Sequence, residues 1–425
     1  MRAGYARWVY SVVLYIAVPF VLLSLLWQSR KNSAYRKRWA ERFGRAPTPK
    51  QTRPTLVHCA SVGEFLAAKQ FIAGLLEAGT PVWVTCTTPT GSELIREFLN
   101  GRGQHTYLPI DLPHALKRFL TRVQPQTVVL METELWPNLV YYCQQRHIPV
   151  ALINARMSER SLKGYLKVKA LFQPSWQGLS LCDAQNDVQA ERFLTLGVRK
   201  EALQVNGNLK FDVQIPAVVR RDVNIFKELL AGRQVLTAGS THSGEESLIL
   251  EAFIQLLQCK PNTLLILVPR HKERFDEVAK LVEQAGLTMV RRSSGRPITE
   301  ATQVLLADSM GELMLWYGIA SVAFVGGSLI ARGGHNPLEP MAFGLPIISG
   351  RHVFNFEEVF QQLDQRQAVR WVSNANNLHD TVLGLLGTLE TAQRIGAQAQ
   401  QLFARHRGAT ARTQAAVQQL LNERR

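Results

Sequence analysis

From Pro54 to Gly350 the chain repeats one pattern: a short apolar run, a turn, then an amphipathic stretch. "PTLVHCA" is followed by "EFLAAKQFIAGLLEAG", whose apolar positions Phe65, Ala68, Ile72, Leu75 and Leu76 recur at helical spacing. "PVWVTCTT", "QTVVLME" and "PVALINA" read as further strands, with "GSELIREFL" and "PNLVYYCQQRH" as the helices between them. Short apolar strands alternating with helices specify a parallel sheet covered on both faces, an α/β fold. After "IPAVVRRDVNIFKELLAGR" a second series begins. "QVLTAGS", "TLLILVP", "TQVLLAD", "SVAFVGG" and "LPIISG" are its strands. The expected organisation is two doubly wound, Rossmann-like domains, residues 31–215 and 216–425, facing each other with a cleft between their strand ends. The tail from Arg394 reads as helical and is expected to pack across both halves.

A length of 425 residues suits two cores rather than one. With 46% hydrophobic and 19% charged residues the chain is globular. A net charge of +16 favours polyanionic partners: nucleic acid, an anionic membrane or phosphorylated substrates. The five cysteines are scattered without metal-ligand spacing, which argues against a disulfide framework or zinc site. Residues 1–30 stand apart. "WVYSVVLYIAVPFVLLSLLWQS" carries no charge, is long enough to cross a bilayer as a helix, and has Trp8 and Trp27 near its ends. The basic run "RKNSAYRKRWAERFGR" after it puts the rest of the chain on the cytoplasmic side and offers cations to lipid headgroups. Pro19 leaves open a helix lying in the interface instead of spanning.

Ser61-Val62-Gly63-Glu64 fits a capping box, as do Ser243 to Glu246, Thr90 to Glu93 and Ser309 to Glu312, with Asn336 to Glu339 a looser version. Each follows an expected strand, where a doubly wound fold binds its ligands and helix N-termini favour anions. Spacing alone leaves each glutamate as either a cap or a functional carboxylate. "VLMETELWPNL" loads Glu132 and Glu134 onto a strand exit, which reads as a solvated loop or as carboxylates aimed at a ligand. "GNLKFD" puts Lys210 in a tight turn, and "LVPRHKERF" puts Arg270 at another strand end, where a guanidinium suits phosphate. The two Gly-Gly pairs of "VGGSLIARGGHNPLEP" allow close backbone approach. None of the histidines forms a metal-spaced pair.

Together "SVGE", "TTPTGSE", "METELWPN", "NARMSERS", "GNLKFD", "LVPRHKERF", "DSMGELMLWYGIA", "AFVGGSL" and "GGHNPLEP", in this order, resemble the 3-deoxy-D-manno-octulosonic acid (Kdo) transferases of lipopolysaccharide synthesis. The resemblance runs from "AYRKRWAERFG" almost to the C-terminus, with small departures at Cys59 and Pro340. It implies a GT-B fold, with the acceptor on the N-terminal domain and the nucleotide sugar mainly on the C-terminal one. It implies an inverting, metal-independent transfer of Kdo from CMP-Kdo to a phosphorylated lipid A precursor, lipid IVA, with no cofactor. Carried over residue by residue, Glu64 would be the general base, and Glu132 and Lys210 would stabilise the transition state. Pro269 and Arg270, Met310-Gly311-Glu312 and Asn336-Pro337-Leu338-Glu339 would hold CMP. The setting it implies is the cytoplasmic side of the inner membrane, among anionic lipids.

The residue types suit that chemistry. A sugar hydroxyl needs a carboxylate to take its proton as it attacks. The departing phosphate needs cations and N–H donors. Two rivals remain: a GT-B enzyme for another nucleotide sugar, and a membrane-tethered binding protein for nucleic acid or anionic lipid. The ordered motifs count against the first. Carboxylates at several strand exits, and basic stretches without interleaved aromatics, count against the second.

Overall fold

The computed structural model describes residues 2–30 and 32–422; Lys31 of the basic run lies outside them. Two compact units emerge. The first comprises the residues up to Asp212 together with those from Arg407 on, and the second runs from Val213 to His406.

In the first unit the strands are β1 (Thr55–His58), β2 (Val82–Cys86), β3 (Gln104–Tyr107), β4 (Thr127–Met131), β5 (Val150–Ala155), β6 (Leu181–Ala184) and β7 (Leu203–Val205). They form one sheet in the order β3-β2-β1-β4-β5-β6-β7, with every neighbouring pair parallel. The order reverses between β1 and β4, the switch point of a doubly wound sheet. Successive β4 side chains go to opposite faces. Val128 and Leu130 join Trp83 and Phe119 in one core, while Val129 and Met131 join Phe65 and Phe71 in the other.

The second unit carries β8 (Val235–Thr241), β9 (Leu264–Pro269), β10 (Met289–Arg291), β11 (Val304–Leu306), β12 (Val322–Val325), β13 (Ile347–Ser349) and β14 (Val369–Trp371). Their order is β10-β11-β9-β8-β12-β13-β14, again with the reversal next to the first strand, between β8 and β12. All these pairs are parallel too. Both sheets are fully buried at their centres, which is why their strands read as continuous apolar runs.

One expectation is corrected. The chain divides after Asp212, and the residues after 216 do not all belong to the second domain. The tail is two helices with a break at Gly408, where φ is +82°. Leu389–His406 stays with the second unit, whereas Ala409–Asn422 returns to the first. The reason is its inner face. Val417 and Leu420 complete the core around Phe71, Thr413 donates to the buried Asp183, and Arg412 Nη2 reaches the Asn206 carbonyl at 2.7 Å. The Asp212 carboxylate accepts from Gly408 N at 2.5 Å and from Thr410 N at the start of that helix.

The N-terminal helix runs Arg2–Gln28, passing through Pro19 without a break.

Candidate active site

Ser61 is extended (φ −120°) and caps the helix Val62–Glu77, accepting from Glu64 N at 3.2 Å. Glu64 answers with both oxygens. Oε2 accepts from Ala60 N at 2.8 Å, and Oε1 accepts from the Ser61 hydroxyl at 3.0 Å. So the box forms, although the backbone donor is Ala60 and not Ser61. Each oxygen takes one protein donor and keeps a lone pair free. Burial pushes the Glu64 carboxyl up to about 7; the Ala60 N–H pulls it down, and the charges of Glu134 and Glu132 raise it further.

Glu132 leaves β4 at the switch point, on the strand beside β1. Its backbone is left-handed, φ +53°, an unfavourable setting for a side-chain-bearing residue. Its amide donates to the Ile153 carbonyl at 3.0 Å, extending the β4–β5 ladder. The carboxylate is nearly buried and doubly paired, with Lys210 Nζ at 3.0 Å from Oε1 and Arg156 Nε at 2.8 Å from Oε2. Burial also raises the Glu134 carboxyl. Lys210 sits in a one-turn 3-10 helix, Leu209–Phe211. Asn208 Oδ1 accepts from Lys210 N, and Asn154 Oδ1 accepts from Leu209 N, both at 3.0 Å. The three residues expected to act together, Glu64, Glu132 and Lys210, thus meet at the exits of β1 and β4. Arg156 and Asn154 were not singled out from the sequence, because their partners lie far along the chain.

The second unit has an analogous place at the exits of β8 and β12. Gly326 and Gly327 follow β12. A Cβ on Gly326 would lie 2.5 Å from the Ser240 carbonyl oxygen, and Gly327 takes φ +69°. Glu245, fully buried, holds this loop. Its Oε2 accepts from Gly327 N (2.6 Å) and His242 N (3.1 Å), and its Oε1 from Ser328 N and Leu329 N (both 2.9 Å). His242 Nε2 and His335 Nε2 are 2.7 Å apart with the rings stacked. Burial first, then neighbouring cationic groups including Arg270, hold both imidazoles down to about 4. At that distance one neutral ring donates to the other.

Pro269 ends β9, and Arg270, exposed, donates its amide to the Thr241 carbonyl at 3.0 Å. Asn336 Oδ1 accepts from Leu338 N at 3.0 Å; Pro337 and Leu338 are buried. Burial pushes the Glu339 carboxyl up to about 7, and the Arg270 charge pulls it back. Arg270 and Glu339 therefore belong to one neighbourhood. After β11 come Met310, exposed, then Gly311 at φ +86°, then Glu312, whose carboxylate is held by Arg292 (3.0 and 3.2 Å) and by Ser309.

The other expected capping boxes do not form. Thr88, with Pro89 at the first helical position, caps the helix that Thr90 and Glu93 were expected to open. Gly244 occupies the cap before Glu245, and Glu246 instead receives Arg274 Nη1 at 2.6 Å. Glu312 and Pro337 occupy the caps expected for Ser309 and Asn336. In the Glu246 and Glu312 cases a guanidinium competes with backbone amides for the glutamate, and a charge-assisted pair is the stronger bond.

Comparison with known proteins fits this arrangement. Residues 37–213 match the family model of 3-deoxy-D-manno-octulosonic-acid transferase, and residues 246–402 match that of glycosyl transferases group 1. The chain is 42% identical over 415 residues to a 3-deoxy-D-manno-octulosonic acid transferase of Haemophilus influenzae, covering 96% of each chain. It is 37% identical over 431 residues to one from Bordetella pertussis, covering 98% of this chain and 99% of the relative. A glycosyltransferase from Rickettsia africae, 12% identical, shares the fold with a TM-score of 0.53 over 88% of this chain and all of its own (100%).

Proposed function

Because the chain belongs to the 3-deoxy-D-manno-octulosonic acid transferase family, we propose that it moves Kdo from CMP-Kdo to the phosphorylated lipid A precursor, lipid IVA, in lipopolysaccharide biosynthesis, with inversion at the anomeric carbon. The observation that carries the reading is Glu64: a half-buried carboxylate, oriented by two donors, whose pKa is raised to about 7. That value suits a general base at neutral pH.

In this scheme Glu64 takes the proton of the acceptor hydroxyl as that oxygen attacks the anomeric carbon of Kdo. The bond from this carbon to the CMP phosphate breaks, and the electron pair leaves with the phosphate. Lys210, fixed by Glu132 and by its turn, supplies positive charge to the developing anions. One carboxylate shared between Lys210 and Arg156 leaves that cluster with a net positive charge. Pro269, Arg270, the run Met310-Gly311-Glu312 and the run Asn336-Pro337-Leu338-Glu339 hold CMP, with Arg270 on phosphate. The sugar arrives already activated by its nucleotide, so no cofactor is invoked. The acceptor's phosphates, and the anionic lipids of the inner membrane's cytoplasmic face, account for the charge of +16.

The test is mass spectrometry of lipid IVA incubated with the detergent-solubilised protein and freshly generated CMP-Kdo. A product heavier by Kdo is expected from the wild type and not from Glu64→Gln. Lipid IVA left unchanged by the folded wild type would overturn the substrate assignment. Near-normal turnover by a folded Glu64→Gln would remove Glu64 as the base.

A further inference from the structure

The N-terminal helix touches the rest of the first unit at points from Arg7 to Leu25. Arg7, Ser11, Leu14, Val18, Leu22, Leu25 and Ser29 are buried or half-buried, at the three-to-four-residue spacing of one helical stripe. The opposite stripe stays bare from end to end: Trp8 is 60% exposed, Ile16 65%, Phe20 69% and Trp27 62%. Between Gly4 and Gln28 the only charged residue is Arg7, and it lies on the inner stripe.

The inner contacts are specific and polar. Arg7 Nη1 donates to Asn138 Oδ1 at 3.2 Å, and its guanidinium lies 3.6 Å from the centre of the Tyr141 ring. Asn138 Nδ2, itself fully buried, donates to Ser11 Oγ at 3.0 Å. Tyr10 hydrogen-bonds the buried Asp111, whose carboxylate also accepts from Asn138 N and Leu139 N at 2.9 and 2.8 Å. The Tyr15 hydroxyl is 2.7 Å from His114 Nδ1. At the far end Ser29 Oγ accepts from Arg36 Nε at 2.7 Å. A spanning helix would carry Arg7 to the far side of a bilayer of about 30 Å. It would take Tyr10 from the Asp111 carboxylate and both Arg7 and Ser11 from the Asn138 side chain, and a buried polar group that loses a partner costs about 1–3 kcal/mol.

We propose that this helix lies in the plane of the membrane as a wall of the first unit, its outer face sunk into the leaflet on the side of the globular units, among anionic phospholipids. The bare face supplies the apolar part of the match, and its rim supplies the charge. Arg30 and Lys37 are exposed beyond its C-terminal end. The helix Lys169–Gln177 packs against it, and the segment leading into that helix exposes Leu166 and Val168 among Lys163, Lys167 and Lys169. Lysine and arginine beside an apolar face suit anionic headgroups, and a helix lying in the interface reaches about 5–10 Å into the headgroup–acyl boundary. Trp8 and Trp27 then sit at one level rather than at opposite surfaces.

The experiment uses the full chain. Gly4→Cys, in a Cys259→Ser background that removes the exposed native thiol, is treated with a membrane-impermeant maleimide in intact cells and again after permeabilisation. Labelling only after permeabilisation is expected, and labelling in intact cells would overturn the proposal. Spin labels at Trp8→Cys, Ile16→Cys and Leu23→Cys, in bilayers containing anionic phospholipid, give an independent reading. Equal depths at all three are expected. A maximum depth at Ile16 would mean a span, and label–label broadening without lipid contact would mean a second copy covers the face; either sinks the idea.

Discussion

Glu132, just past the end of β4, and Asn154, on the neighbouring β5, have the same left-handed backbone, φ +53° and +52°, and each grips a different part of one turn. Glu132 holds the Lys210 ammonium at 3.0 Å, and Asn154 holds the Leu209 amide at 3.0 Å. Each left-handed non-glycine residue costs about 1–2 kcal/mol. The arrangement spends that strain on the position of a single lysine, and strain of this kind gathers at functional sites.

Asn154→Ala should therefore reduce activity without touching substrate. It removes the Leu209 acceptor and keeps the strained φ. The expected cost is about 1–3 kcal/mol of stability and a fall in kcat, whereas Asn154→Asp, which retains the acceptor, should stay closer to wild type. Thermal melts and single-turnover rates on the two variants check this.

Glu132→Gln and Lys210→Met should each lower kcat by roughly 10²–10³-fold, the usual effect of losing one electrostatic stabiliser. Both changes fall in one ion-paired cluster, so the double variant should cost much less than the product of the singles. A double-mutant cycle on kcat/KM reads this directly.

The pH profile follows from Glu64. As a base it must be ionised, so kcat/KM should rise with pH through about 7, and this limb should vanish in Glu64→Gln along with a loss of roughly 10²–10⁴-fold in rate. The stability effect has the opposite sense. A carboxyl whose folded pKa is raised favours the protonated form, so its contribution is full below the ordinary value of about 4.3 and is lost as pH rises through about 7. The Tm of Glu64→Gln relative to wild type should accordingly increase between pH 5 and pH 8.

Glu245→Ala should be severely destabilising. It leaves four backbone N–H groups without their acceptor in a fully buried site, a loss of at least about 3 kcal/mol. Glu245→Gln offers one oxygen in place of two, so it should fold but loosen residues 326–329. A raised KM for CMP-Kdo, with a smaller change in kcat, is the expected signature, read from steady-state kinetics beside a thermal melt.

Much of this was readable in advance at the sheet centres and little at their edges. The strands β1, β4, β8 and β9 are buried on both faces and each holds an apolar run, which marks them in the sequence. The outer strands β3, β7, β10 and β14 were missed, and so was the inner strand β6, where Asp183 interrupts a run of only four residues. The outer ones are short, and residues such as Gln104, Gln204, Arg291 and Arg370 give them no apolar pattern. Lys210 and Glu132 stood out by their setting at a strand exit or turn, but what fixes them did not. Asn154 acts on a residue 55 positions away, and Glu245 on a loop more than 80 positions away. The capping-box pattern falls within three residues of each helix cap but names the cap itself only at Ser61, and at Glu246 and Glu312 an arginine takes the glutamate.

The return of the last helix sets an order of events during synthesis. The second unit is complete once residue 406 has left the ribosome. The first unit began far earlier, yet it lacks Val417 and Leu420 for its core and Thr413 for Asp183 until residues 409–422 emerge. The nascent chain therefore carries an unfinished first unit, with its N-terminal helix already made, until the last helix follows the whole of the second unit out. The C-terminal helix is the latch that closes it, and a chain that stops short of that helix should be handled by the cell as unfolded however intact its second unit is.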